Sequence, residues 1–347
     1  MSQGMSIRMR FSYRSRGVTS GALASRLALA LGCLFFTSVK ADVVVQSSGK
    51  RIEGVSISSA KWDQVLFKQG NNTVKLDGDK VASIQRDSAY LQPARSSLAS
   101  GNYQRALSIL DKLDGRGLKG WQAAELQYLK GKIYLESGES AKADTAFDLF
   151  VKTNRESKDY WLPHAIYGRG QAALNLGRGS SAQQHFKGLA PYGPTWVLRA
   201  KLGEAQGLFL AKKYVDARTK FQEVANSRKA PAALKVDALI GRIEVIASQK
   251  QYDKAIADLE KNFFSTNAQV VDYGKARARA SYLMGVSYKN LPGKENLEKA
   301  EIWLLKTAVL FRQHKSIYKD SCSALADVYK QLGRSERATE WGKRAKG

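Results

Sequence analysis

From about residue 88 onward, small and apolar side chains recur in one local frame. The frame is anchored by Ala106, Ala143, Ala182, Ala217, Ala255, Ala300 and Ala338, at intervals of 37, 39, 35, 38, 45 and 38 residues. A bulky apolar residue follows four positions later in six cases: Leu110, Phe147, Phe186, Phe221, Leu259 and Leu304. Four anchors stand five residues after a glycine, namely Gly101, Gly138, Gly177 and Gly333, and three stand three residues after a tyrosine, Tyr103, Tyr214 and Tyr252. A glycine provides the left-handed turn that ends one helix. An alanine early in the next helix lets two backbones approach, and the bulky residue one turn later fills the space between them. The pattern predicts about six or seven helical hairpins over residues 88–347, each too small to bury its own apolar face and each completed by its neighbours.

Residues 42–87 follow another rule. Alternation of apolar and polar positions predicts five short strands: Val43–Gln46, Arg51–Ser58, Gln64–Lys68, Thr73–Leu76 and Val81–Gln85. Turn residues separate them, at Ser48-Gly49, Gly70-Asn71-Asn72 and Asp77-Gly78-Asp79. A five-stranded unit of this size is expected to curl into a small barrel, because a flat sheet would leave long edges exposed. Trp62 is open to two readings, a ligand platform or a lid on the barrel. Ahead of the strands, a leader with five arginines and no acid is followed by the apolar run Leu27–Phe36 and then Val39-Lys40-Ala41. This predicts a secretory signal peptide over residues 1–41, cut after Ala41. Ten apolar residues are too few to span a bilayer. Cys33 offers the alternative of a lipoprotein, but Leu31 is bulky and Leu34, Phe35 and Phe36 continue the apolar run past it.

The helical frame resembles the tetratricopeptide repeat, which places Gly and Tyr in its first helix, Gly at the turn and Ala-x-x-x-Phe in its second. Gly131, Tyr134, Gly138, Ala143 and Phe147 match in order, as do Gly170, Gly177, Ala182, Phe186 and Pro194. Gly285 and Tyr288 match a later first helix, with Ala300 delayed by the loop Leu291-Pro292-Gly293; Leu325, Tyr329, Gly333 and Ala338 match the last unit. The departures are a family tryptophan that is mostly missing and Gly342 where a phenylalanine belongs. The resemblance implies a mainly α solenoid and a role in binding proteins. The strand region resembles SH3-like barrels at the start of exported bacterial repeat proteins, in Gly49–Gly54 and Lys80–Ile84.

Charge and cysteines refine this picture. The net charge is +25. The leader holds six of the positive charges, leaving +19 after cleavage. Such an excess points toward an acidic protein, an envelope polysaccharide or anionic headgroups. Yet the basic residues are dispersed among acids, as in Lys294, Glu295, Glu298, Lys299 and Glu301, in the manner of solvated helix faces. Export argues against nucleic acid. Once the leader is removed, Cys322 is the only cysteine, so packing rather than disulfides holds the chain.

Little in the chain points to catalysis. His164, His185 and His314 are isolated from one another, without a second ligand at metal spacing. No phosphate-cradling loop with a following Lys-Ser or Lys-Thr appears. Cys322 sits mid-helix between two serines and is expected to be a small buried group. No catalytic residue, metal or cofactor is expected. In the repeats that the chain resembles, the inner surface is lined by first-helix positions around the packed glycine. That geometry implies a partner-binding groove formed by Tyr128, Lys132, His164, Tyr167, Gln171, Arg279 and Tyr282, suited to an extended, acidic protein or peptide partner. For each tyrosine, packing between helices is the competing role. The expected function is an exported, periplasmic or envelope-associated scaffold that helps assemble a cell-envelope complex. The alternative is a cell-wall or polysaccharide binding protein that uses the barrel.

Overall fold

In the computed structural model, residues 41–265 and 274–346 are described. The expected leader, Cys33 and its lipidation fall outside the described residues, apart from Ala41. Five strands follow: β1 (Asp42–Gln46), β2 (Arg51–Ala60), β3 (Gln64–Gln69), β4 (Asn72–Asp77) and β5 (Val81–Gln85). They form one antiparallel sheet in the order β4-β3-β2-β1-β5. The long strand β2 is shared: it pairs with β1 up to Val55 and with β3 from Ser56 onward, with a register shift between Ile57 and Ser59. Asp42 pins the first strand, its carboxylate accepting from the backbone N–H of Ile57 and of Asp87, each at 2.6 Å.

Among the described residues the helices come in seven hairpins: α1 (Gln92–Ala99) with α2 (Tyr103–Asp114), α3 (Gly120–Ser137) with α4 (Ser140–Asn154), and α5 (Leu162–Asn175) with α6 (Gly179–Lys187). Then follow α7 (Pro194–Leu210) with α8 (Tyr214–Asn226), α9 (Ala232–Ser248) with α10 (Tyr252–Leu259), α11 (Gly274–Lys289) with α12 (Lys294–Leu310), and α13 (Lys315–Gln331) with α14 (Ser335–Lys346). All seven anchor alanines lie in the second helix of a pair and are buried, as are the six bulky residues four positions on. The turn glycines Gly101, Gly138, Gly177 and Gly333 have φ of 71°, 89°, 70° and 73°. In the fourth and fifth pairs the same position is held by Lys212 and Lys250, forced to φ of 59° and 62°. These lysines do without glycine's freedom and carry a local strain.

Close approach between pairs depends on glycines that face a ring. A Cβ on Gly170 of α5 would lie 2.3 Å from the Phe186 ring, and one on Gly203 of α7 would lie 2.4 Å from the same ring. Phe186 therefore fills the gap between its own first helix and the next. Phe147 is held in the same way by Gly131 and Gly168. First helices also pack on first helices, α3 on α5, α5 on α7, α7 on α9, α9 on α11 and α11 on α13, while among the described residues second helices make no contacts of that extent. The tighter layer of a curved stack lies on its inside, so the first helices form the inner wall. Lys315, at the start of α13, donates to the Gly101 carbonyl at 3.0 Å, linking the seventh pair back to the first.

The sheet does not stand apart from the helices. Its core of Val44, Ile52, Val55, Val65, Phe67, Val81 and Ile84 is completed by Tyr160, 3% exposed, from the α4–α5 loop. Lys61 and Asp159 pair through an isolated antiparallel backbone bridge, the Trp62 N–H donates to the Lys158 carbonyl at 3.0 Å, and Asp79 accepts from the Thr195 N–H at the start of α7 at 2.8 Å. Trp62 is neither a free platform nor a lid over the strands. Its ring packs edge-on against Tyr192 at 5.0 Å and faces the helices.

Candidate functional site

Where β5 meets the inner wall, a cleft of about 510 Å³ opens. Ala82, Ser83, Ile84 and Gln85 form one side; Arg95, Leu98 and Ala99 of α1, Glu125, Tyr128, Leu129, Lys132 and Glu136 of α3, Trp161 and His164, and Arg199 of α7 form the rest. The first helices bring these side chains together because residues three or four apart share one helix face.

An aromatic cluster makes the floor. Tyr128 stacks on Trp161 with centroids 4.4 Å apart at 14°, and it also touches Phe147 and Phe150. His164 stands edge-on to Trp196 at 4.7 Å and lies 5.0 Å from Tyr160. Burial holds the His164 imidazole well below its ordinary value, with Arg199 and Lys132 adding to the effect, so it is neutral at pH 7. Burial likewise drives the hydroxyls of Tyr128 and Tyr160 far above the ordinary tyrosine range.

Charge at the cleft is unevenly matched. Arg95 and Glu125 form a buried pair at 2.6 Å, with side chains 12% and 5% exposed. Burial raises the Glu125 carboxyl, and the Arg95 guanidinium opposes that shift. Lys132 approaches Glu136 only to 3.9 Å. Arg199 lies over the Trp196 ring at 5.1 Å, and among the described residues it has no carboxylate within ion-pair distance.

Of the residues expected to form the groove, Tyr128, Lys132 and His164 share this cleft, with Tyr128 largely buried in its floor. Tyr167, on the same helix as His164, packs on Phe186 at 5.6 Å, and its hydroxyl is pushed up to about 12 by burial. Gln171 donates to Gln206 of α7 at 2.9 Å. Arg279 of α11 pairs with Glu244 of α9 at 2.7 Å and approaches Asp237 at 3.8 Å. Tyr282 packs beside the core of the last two pairs. These four lie outside the cleft lining. Sequence reasoning missed Glu125, although it stands six residues before Gly131, as His164 does before Gly170. It also missed Arg199 and the β5 edge, which lie off that spacing and carried no signal.

Among the described residues no group of three or more His, Cys, Asp or Glu is placed to hold a metal ion. Nor is any described helix long and apolar enough to cross a membrane. Cys322 is fully buried in the last core and its thiol is pushed up by burial.

Comparison with known proteins agrees with the architecture. The tetratricopeptide repeat profile matches residues 124–157, which span most of α3 and all of α4. The fold is tetratricopeptide-like. Among solved structures the chain is similar to a tetratricopeptide repeat protein from Parabacteroides merdae, with 20% identity and a TM-score of 0.52 over 67% of this chain and 82% of that one. It is similar to the apo form of RapI, with 13% identity and a TM-score of 0.51 over 74% of this chain and 94% of that one. A Rap protein complexed with Competence and Sporulation Factor is similar at 12% identity and a TM-score of 0.50, over 74% and 72% of the two chains. No curated protein matches it in sequence.

Proposed function

We propose that this protein is a non-enzymatic scaffold that holds a protein or peptide partner along the inner wall of its helical array and works in assembly of a cell-envelope complex. The observation that carries the reading is the continuous inner wall of first helices, which presents aromatic and cationic side chains around an open cleft. Arrays of this kind offer extended area to a partner. That a Rap protein of this fold is complexed with Competence and Sporulation Factor supports the same reading. The basic, then apolar, then small-residue leader supports export, with cleavage after Ala41. On this reading residues 42–87 are an SH3-like module and residues 88–347 the binding solenoid.

A photo-crosslinking residue placed at Gln171 on the inner wall, in the full chain and in its native cells, is expected to capture a discrete partner. The same group at Thr219, exposed on α8, is expected to capture none. Capture from Thr219 alone, or from neither, refutes the assignment.

A further inference from the structure

We infer that the partner enters the cleft as an extended segment that adds a sixth strand to the free edge of β5 and sets a carboxylate against Arg199. This rests on the scaffold reading and specifies how the partner is held. β5 is the last strand in the sheet order, so one of its edges has no strand beside it. Successive residues of a strand point to opposite faces, so a cavity against a sheet face would meet alternate residues. The cleft instead meets four in a row, Ala82 to Gln85, and so borders the strand's edge. Among the described residues, the backbone groups of these four bond only within the sheet. Unpaired edge groups are a template for strand addition. Four residues present about 13 Å of edge at ~3.3 Å per residue, enough for a short strand.

The charge of the occupant follows from the side chains opposite. Arg95 is already matched by Glu125, and Lys132 leans toward Glu136. Among the described residues, Arg199 has the Trp196 ring and no carboxylate. His164, which lines the same cleft, is neutral and does not compete for an anion. A carboxylate on the incoming strand would complete Arg199, while its apolar neighbours would lie on Tyr128, Leu129 and Leu98. An incoming lysine would meet a guanidinium instead.

The test uses an acetylated, amidated hexapeptide of alternating valine and glutamate, titrated calorimetrically into the full chain. Two further versions are N-methylated, one on each alternate set of backbone amides, and another carries lysine for glutamate. The expected result is binding at one to one, lost on N-methylation of one alternate set and with lysine, and weakened about tenfold by Arg199→Ala, as loss of a charge-assisted hydrogen bond implies. Hydrogen exchange should slow at residues 82–85 on binding. Arg199→Lys should recover part of the affinity, which separates loss of charge from loss of folding. Binding that survives both N-methylated versions, protection that falls elsewhere on the inner wall, or pairing of β5 with a second copy of this chain overturns strand addition and leaves the scaffold reading to its own crosslinking test. Equal binding of the lysine peptide overturns the acidic assignment. Failure of every peptide to bind overturns the inference as a whole.

Discussion

Replacing Gly170 by alanine should reverse the usual sign of a helical glycine-to-alanine change. In an open helix interior the substitution stabilises by about 1 kcal/mol, through backbone entropy alone. At Gly170 the new methyl would lie 2.3 Å from the Phe186 ring, more than an ångström inside the ordinary carbon contact of about 3.5 Å. The ring is fully buried and Gly203 faces its other side, where a Cβ would also fall within 2.4 Å, so it has no room to retreat. Overpacking of this kind costs about 1–3 kcal/mol, and a ring confined on two sides belongs at the upper end. Subtracting the helical gain leaves a net loss of about 2 kcal/mol. The control is Gly342 of α14, where the nearest atom to an added Cβ is Ala326 Cβ at 4.0 Å, so Gly342→Ala should stabilise by about 1 kcal/mol. Urea unfolding followed by far-ultraviolet circular dichroism should order the midpoints Gly342→Ala, unsubstituted chain, Gly170→Ala. In a Phe186→Leu background Gly170→Ala should lose most of its penalty. A midpoint that rises for Gly170→Ala in the unsubstituted background would refute the view that glycine–ring contacts set the spacing between pairs.

Three further outcomes are expected. Lys212→Gly and Lys250→Gly should each raise the melting midpoint by relieving a left-handed φ, by about 0.5 kcal/mol once glycine's larger unfolded entropy is subtracted; a lower midpoint would remove the strain argument. Tyr160→Ala should cost about 3 kcal/mol and speed hydrogen exchange throughout residues 42–85, whereas an effect confined to α5 would show that the sheet does not depend on this ring. His164 has a depressed folded value, so the unfolded chain binds its proton first; its contribution is full above the ordinary value of about 6.5 and is lost as pH falls below it, by at most about 1.4 kcal/mol per pH unit. Stability measured from pH 7.5 to 5 should therefore fall less steeply in His164→Gln, and equal slopes would sink this assignment.

Local order was legible in the chain because periodicity and turn chemistry are local properties. The alanine frame placed one buried anchor in the second helix of every pair, and alternation located all five strands to within one or two residues at their ends. The structure added that Lys212 and Lys250 occupy the slot that glycine fills elsewhere, with positive φ. Individual groove residues were less legible. Spacing around a packed glycine identifies which residues face the inner wall, but not whether a tyrosine there is open or stacked, and Tyr128 is closed off by Trp161 from the loop that follows α4.

The sequence alone determined that this protein is a repeated helical hairpin preceded by a small sheet. Only the tertiary structure decided where the sheet sits: Tyr160 enters its core, Asp79 meets the start of α7, and residues of β5 line one cleft with Arg199. These partners are separated by tens to more than a hundred residues, and each depends on how far the stack has curved before it reaches the sheet. Curvature is the sum of small rotations from one pair to the next, set by ring and glycine contacts between neighbours, and the periodicity of a single chain does not carry that sum.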